Sequence, residues 1–371
     1  MPESKTALPI VLVAGGTGGH VFPAVALAEE LIARDYAVVF ITDRRGKTYV
    51  PDALLSQPKF MLKVLPLDRK AGGVLGLLKL GCQITLSCLV SLRCLWKSVH
   101  CVVGFSGFPT LAPLIAAIIL RKPIMVHEQN TVLGRVNSLL HPWLRKILIS
   151  TRALQHTPKL ELRKLVYVGL PIRKDIAQLH DTPYQMPDQT RGGEIRLLII
   201  GGSQGAQSFA QVIPEMIGIL PVEIQKRLVV LHQVRLADQA TAQKLYQTTQ
   251  VKQLTMVPFI HSMAEALATT HLVLSRSGAS SIAEIAAAGR PSILIPYPYA
   301  TDDHQTMNAF ELTRLGGGWL IPHHHFNAVR LKQVFLALVE DPKKLLFAAQ
   351  RVRLGFEKNS INNLASEVLS V

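Results

Sequence analysis

The chain has 371 residues, of which 49% are hydrophobic and 18% charged, with a formal net charge of +15 and a mean hydropathy of +0.26. That composition excludes an intrinsically disordered protein, and the length suits two domains with a core each. Met1–Ala7 is polar, and the apolar run 10–13 is too short for the hydrophobic region of a signal peptide. Cys82, Cys88, Cys94 and Cys101 have neither zinc-site nor disulfide-framework spacing, so a reduced, cytoplasmic chain is expected.

The predicted elements begin with a strand at 10–14 that runs into Gly15-Gly16-Thr17-Gly18-Gly19-His20. A buried parallel strand ending in glycines and then entering a helix is how an α/β domain opens. The turn is not a dinucleotide fingerprint, because the glycine required at position 21 is Val21. It is a glycine-lined strand end, where backbone N–H groups reach a ligand, and His20 stands at its mouth as a candidate general base. A helix at 24–34 and a strand at 37–42 follow. Gly46-Lys47-Thr48 imitates the end of a P-loop, but Ile41 replaces the glycine that motif needs.

Residues 72–99 form an unusual segment. Leu80 to Leu92 carries no charge, with Lys79 before it and Arg93 and Lys97 after it. This is too short to span a bilayer as a helix and suits either a core helix or one that beds an apolar face in a membrane surface. No carboxylate occurs between Asp68 and Glu128, whereas Arg69, Lys70, Lys79, Arg93, Lys97, Arg121 and Lys122 do. Residues 1–170 hold 21 Lys and Arg against 9 Asp and Glu; residues 171–371 hold 19 against 16. The first half therefore favours an anionic surface. Nucleic acid is set aside as a partner: the stretch has only Trp96, Phe105 and Phe108 for stacking, and no recognition module is visible.

Strands are predicted at 101–105, 123–127, 147–150 and 165–168, with a helix at 110–120. His127-Glu128-Gln129-Asn130 closes one of them with four polar groups, which is costly unless they line a site. The polar stretch 180–194 reads as the region joining two domains. A second series follows, with strands at 195–200, 228–232, 254–257, 272–275 and 292–296 and a helix at 280–288. Gly201-Gly202-Ser203-Gln204-Gly205-Ala206 repeats the opening turn without a histidine and suits a diphosphate at a helix N-terminus. Arg276-Ser277-Gly278-Ala279-Ser280-Ser281-Ile282-Ala283-Glu284 is again strand, small-residue turn and helix, and its carboxylate could accept from a ribose diol. Asp302-Asp303-His304-Gln305-Thr306-Met307-Asn308 offers amides suited to sugar hydroxyls. Adjacent Asp302, Asp303 and His304 would converge poorly on one ion, and no Asp-x-Asp pattern exists, so neither a metal nor another cofactor is expected. The stretch 341–371 is predicted helical.

Taken together, GGTGGH followed by Val21-Phe22-Pro23, HEQN, GGSQGA, the RSGASSIAE run and DDHQTMNA resemble, in order and spacing, the MurG family of bacterial glycosyltransferases. The resemblance spans residue 10 to near the last residue. It implies a GT-B fold of two Rossmann-like domains with parallel sheets facing a cleft. An acceptor-binding, membrane-associating domain would cover 1–173, with a helix at about 355–371 packing back on it, and a UDP-sugar domain would cover 174–354. The implied reaction is inverting transfer of N-acetylglucosamine from UDP-N-acetylglucosamine to the C4 hydroxyl of the muramyl sugar of lipid I (undecaprenyl-diphosphate-MurNAc-pentapeptide). Lipid II would form at the cytoplasmic face of the inner membrane.

By the same resemblance the donor would meet Thr17, Gly18, Gly19, Asn130, Arg173 and Ser203. Ile260 would bond uracil through its backbone. Ala279, Ser280, Ser281, Ile282, Ala283 and Glu284 would hold nucleotide and ribose, Gln305 would meet the donor, and Asn308 its sugar. The chain departs from the family pattern at Leu170, at Ser106 in place of a glycine, and at Val234-Arg235.

Overall fold

The computed structural model describes residues 8–67, 73–154, 162–188, 193–202 and 206–371. The chain divides into two compact units, Met1–Arg173 with Asn359–Val371, and Lys174–Lys358.

The first unit is built on seven parallel strands: β1 (Ile10–Val13), β2 (Val38–Asp43), β3 (Phe60–Leu65), β4 (Val102–Gly104), β5 (Ile124–Glu128), β6 (Lys146–Ile149) and β7 (Leu165–Tyr167), in the order β3-β2-β1-β4-β5-β6-β7. The continuous apolar run of β1 follows from burial on both faces. Ile10 and Leu12 pack with Leu27 of the Gly18–Ala33 helix and with Leu364 and Val368 of the Ser360–Leu369 helix. Val11 and Val13 point the other way, toward Leu95 of the Gly73–Leu95 helix and Leu114 of the Leu111–Ile119 helix.

The second unit has six parallel strands: β8 (Ile195–Ile200), β9 (Leu228–Gln233), β10 (Gln253–Val257), β11 (Leu272–Ser275), β12 (Ser292–Leu294) and β13 (Gly318–Leu320), in the order β10-β9-β8-β11-β12-β13. Counted from its own first strand, this is the order of the first six strands in the other unit. Each sheet therefore reverses its winding at one place, between β1 and β4 and between β8 and β11. Open α/β sheets bind ligands outside the strand carboxyl ends at such a switch point.

Several expectations shift. Two edge strands, β3 and β13, were not predicted: β3 buries only its two end residues, and β13 has only three, all half-buried. The first helix begins at Gly18 rather than 24, because Gly18, Gly19 and Pro23 are helical and not part of the turn. The division between the units does not fall in the stretch 180–194. The division falls after Arg173; Ile176 is fully buried, and the Tyr184 hydroxyl donates to the His271 carbonyl at 2.9 Å within the second unit. Residues 355–358 also belong to the second unit, where the Phe356 ring lies 5.6 Å from that of His180 and Lys358 pairs with Asp181 at 2.8 Å.

Candidate active site

In the first unit, β1 leaves the sheet through Ala14 to Thr17, with Gly16 at φ +85° and Thr17 extended as the N-cap of the Gly18–Ala33 helix. Gly15 is sterically required. A Cβ on Gly15 would stand 2.9 Å from both Asp43 Oδ1 and Pro109 Cβ. Asp43, 1% exposed at the end of β2, fixes the turn: its Oδ1 accepts from the amides of Gly16 (2.9 Å) and Gly46 (2.8 Å), and its Oδ2 from Arg45 Nε (3.3 Å). Sequence reasoning passed over Asp43, although a carboxylate closing an apolar strand at the ligand edge was a usable signal.

From the other side of the switch point, β4 runs into Phe105-Ser106-Gly107-Phe108. Gly107 has φ +83° and ψ 156°, a region open essentially to glycine alone. A Cβ there would lie 3.0 Å from His20 Nδ1 and 3.1 Å from Cε1, so this loop forms a wall against the His20 ring. His20 Nδ1 is 3.3 Å from the Gly15 carbonyl oxygen. A carbonyl only accepts, so the neutral ring carries its proton on Nδ1 and has Nε2 as its basic nitrogen.

The polar end of β5 has a different role from the one its exposure to a ligand would give it. His127, Glu128 and Gln129 are buried. Glu128 Oε2 accepts from Gly134 N (2.8 Å), Asn137 Nδ2 (2.8 Å) and the Ser106 hydroxyl (3.2 Å). Its Oε1 accepts from Asn130 N (3.1 Å) and Asn130 Nδ2 (3.3 Å). Burial raises the Glu128 pKa and these hydrogen bonds oppose the rise. Burial also pushes His127 down to about 4, and its Nε2 sits 3.0 Å from the Gly169 carbonyl oxygen. Glu128 thus ties the β4 loop to the turn after β5. Ser106, where the family pattern has glycine, holds φ +54° and donates to Glu128. Arg173, the last residue of this unit before the division, stacks its guanidinium 5.5 Å from the Phe22 ring centre.

In the second unit β8 ends at Gly201-Gly202, with Gly202 at φ +78°. Ser203 lies outside the described residues, and Ala206 caps the Gln207–Gly218 helix. Across the switch point β11 passes through Arg276-Ser277-Gly278 into the Ala279–Ala288 helix, which carries Ala279, Ser280, Ser281, Ile282, Ala283 and Glu284 in its first two turns. Glu284 is half-buried. After β12 the chain crosses to the His304–Arg314 helix. There Gln305 Oε1 accepts from the Tyr297 amide at 2.9 Å, and buried Asn308 donates to the Ser277 carbonyl at 3.2 Å. Ile260, 7% exposed, follows β10. These side chains all stand at the carboxyl edge of the sheet. The Val234-Arg235 departure is accommodated locally: Val234 N–H donates to the Val257 carbonyl (2.9 Å), and Arg235 pairs with Asp238 (2.5 Å). Among the described residues no cluster of His, Cys, Asp and Glu is arranged to hold a metal.

Comparison with known proteins agrees with this geometry. Residues 10–149 match the glycosyltransferase family 28 N-terminal domain and residues 196–365 the glycosyltransferase family 28 C-terminal domain. The chain is 40% identical over 362 residues to the UDP-N-acetylglucosamine–N-acetylmuramyl-(pentapeptide) pyrophosphoryl-undecaprenol N-acetylglucosamine transferase of Rhodospirillum centenum, covering 97% of this chain and 94% of that one. Its counterpart in Caulobacter vibrioides is 38% identical over 361 residues, covering 96% and 97%. The crystal structure of Acinetobacter baumannii MurG superposes with a TM-score of 0.75 at 24% identity, covering 98% of this chain and all of that one. Two parallel Rossmann-like sheets with these matches make the fold GT-B, and the chain belongs to the MurG family of glycosyltransferases, within glycosyltransferase family 28.

Proposed function

We propose that the chain transfers N-acetylglucosamine from UDP-N-acetylglucosamine to the C4 hydroxyl of the N-acetylmuramyl sugar of lipid I, with inversion, giving lipid II. The observation that carries this reading is the asymmetry between two like sheets. The switch point of the first has a histidine held as an Nδ1–H tautomer beside a glycine wall; that of the second has helix N-termini and a carboxylate. The first unit is the acceptor domain and the second the UDP-sugar domain.

In the proposed reaction the acceptor oxygen bonds to the anomeric carbon, the bond from that carbon to UDP breaks, and the hydroxyl proton passes to His20 Nε2. A single displacement inverts the centre. Negative charge builds on the leaving diphosphate and is met by backbone N–H groups at the starts of the Gln207–Gly218 and Ala279–Ala288 helices and by Arg173. Glu284 accepts from the ribose hydroxyls, Ile260 reads uracil through its backbone, and Gln305 and Asn308 face the donor sugar. Thr17, Gly18, Gly19 and Asn130 complete the donor contacts. Ser203 is assigned to a phosphate on the family pattern.

A lipid-linked acceptor requires a membrane surface, and we place it on the Gly73–Leu95 helix. Its inward face carries the small residues Ser87 and Ser91, both fully buried, and Cys88 donates to the Ala112 carbonyl. Its outward face carries Leu86 (50% exposed), Leu89 (58%) and Arg93, continuing to Trp96 (75%). Lys122 Nζ donates to the Lys97 carbonyl, which brings exposed Ile119 and its basic neighbours to the same end. Among the described residues no helix is long and apolar enough to cross a membrane. The arrangement suits an apolar stripe with a basic rim at an anionic bilayer.

The test is transfer of labelled N-acetylglucosamine from UDP-N-acetylglucosamine to a lipid I analogue by the purified chain, with the anomeric configuration of the product read by NMR. A β-linked disaccharide lipid is expected. No transfer, or an epimerised nucleotide sugar formed without acceptor, would overturn the reading.

A further inference from the structure

Arg276 is the one cation of the second unit's switch point to which the sequence pattern gives no task. It is 6% exposed, and no carboxylate lies within ion-pair reach of it among the described residues. Its contacts cross the switch point. Nη2 donates to the Ser208 hydroxyl (3.1 Å) in the first turn of the Gln207–Gly218 helix, and Nη1 donates to the carbonyls of Ile295 (3.1 Å) and Pro296 (2.7 Å) at the exit of β12. Nη1 also lies 3.4 Å from His323 Nδ1, and the guanidinium stacks 4.8 Å from the Phe209 ring centre and 5.8 Å from that of Tyr297. Nε is buried with no hydrogen-bond partner. The next amide after Pro296, that of Tyr297, is the one held by Gln305.

A buried guanidinium that satisfies carbonyls and a hydroxyl, and faces no carboxylate, leaves its charge unneutralised in a low-dielectric setting. Burial accordingly lowers its pKa to about 10, still charged at neutral pH. The charge sits against the opening turn of a twelve-residue helix, whose positive dipole end also favours an anion. We infer that Arg276 is a positioning residue for the diphosphate of the donor nucleotide: it clamps the helix start at Ser208 to the β12 exit, whose Tyr297 amide Gln305 holds, and supplies fixed positive charge beneath the phosphates. This rests on the reading of the second unit as the UDP-sugar domain.

Arg290 provides an internal control. It is 1% exposed and also lacks a carboxylate partner among the described residues. It precedes β12 at the opposite strand edge, where Nη2 donates to the Ala268 carbonyl at 2.9 Å.

The experiment is calorimetric titration of the full-length chain and its Arg276→Gln, Arg276→Lys, Ser208→Ala and Arg290→Gln variants with uridine, UMP and UDP at one ionic strength. For Arg276→Gln the loss should grow with phosphate number, tenfold or more for UDP and under twofold for uridine. Arg276→Lys should recover most of the UDP affinity while kcat stays several-fold below wild type, because one ammonium nitrogen cannot stand in for the two separate nitrogens that reach Ser208 on one side and the two carbonyls on the other. If Arg276→Gln does not fold, Ser208→Ala, which removes only the Nη2 bond, should weaken UDP two- to fivefold and leave uridine unchanged. Arg290→Gln should show no dependence on phosphate number. Equal losses for uridine and UDP in the Arg276 and Ser208 variants, or none, would overturn this inference alone. Failure of the wild-type chain to bind UDP would overturn the donor-domain reading and this inference with it.

Discussion

Gly107→Ala isolates the wall behind His20. The substitution adds one carbon at a position with φ +83° and ψ 156°, where a side chain costs about 1–3 kcal/mol. That carbon would stand 3.0 Å from His20 Nδ1 and 3.1 Å from Cε1, so the ring must retreat by a few tenths of an ångström. Domains of this size are stable by roughly 5–15 kcal/mol, so the variant stays folded. Displacement of a base by a fraction of an ångström should lower turnover about tenfold to a hundredfold, given that a 1 Å misplacement can cost a hundredfold. The assay is transfer to a lipid I analogue, with thermal unfolding and UDP calorimetry measured on the same preparation. We expect a modest drop in Tm, an unchanged UDP affinity and slowed turnover. Wild-type turnover in a folded Gly107→Ala variant would refute the idea that the β4 loop sets the His20 ring for chemistry.

Removing the ring altogether, His20→Ala, should lower turnover by ~10²–10⁴-fold, the usual contribution of a general base, with UDP binding nearly intact; near-normal turnover would exclude His20 from the reaction. Glu284→Ala should weaken UDP-N-acetylglucosamine binding by about 1.5–3 kcal/mol, the range for a hydrogen bond to a charged group, and unchanged calorimetric affinity would sink the ribose assignment. EDTA should leave transfer intact, since backbone amides and Arg173 meet the diphosphate charge in the proposed mechanism; loss restored only by one divalent ion would contradict it. Binding to anionic vesicles should weaken with salt without vanishing, and Arg93→Glu with Lys97→Glu should reduce it while UDP affinity holds, each basic residue contributing about 1 kcal/mol. Co-sedimentation of the double variant equal to wild type would move the membrane contact elsewhere.

The central strands were legible because burial on both faces writes them as continuous apolar runs, as in Ile10–Val13 and Ile195–Ile200. Two of the four edge strands were not. Phe60–Leu65 buries only its two end residues and includes Lys63, and Gly318–Leu320 is too short to show any period. Within the candidate site, turns were readable from glycine spacing, but relations across the chain were not. Asp43 reaches Gly16 over 27 residues, and Ser106 reaches Glu128 over 22. Glu128 illustrates the difference. Its residue type and position at a strand end suggested a group lining the site, whereas five donors from the chain itself engage its two oxygens. A pattern names a polar group, and only its neighbours decide whether it serves a ligand or the fold.

The Ser360–Leu369 helix follows the whole second unit in the chain yet buries Leu364, Ala365 and Val368 completely in the first. The second unit is in effect an insertion between two pieces of the first. On a translating ribosome the first unit would therefore emerge early and finish late. While residues 174–358 are being made, an apolar groove beside Leu12 and Leu27 stays open, and filling it with the Leu364 and Val368 side chains contributes roughly 1.5–3 kcal/mol each. Nascent chains should thus spend most of their synthesis with the unit assigned to the lipid acceptor still incomplete, and a chain released before residue 360 should carry a finished second unit tethered to a first one that lacks its closing helix.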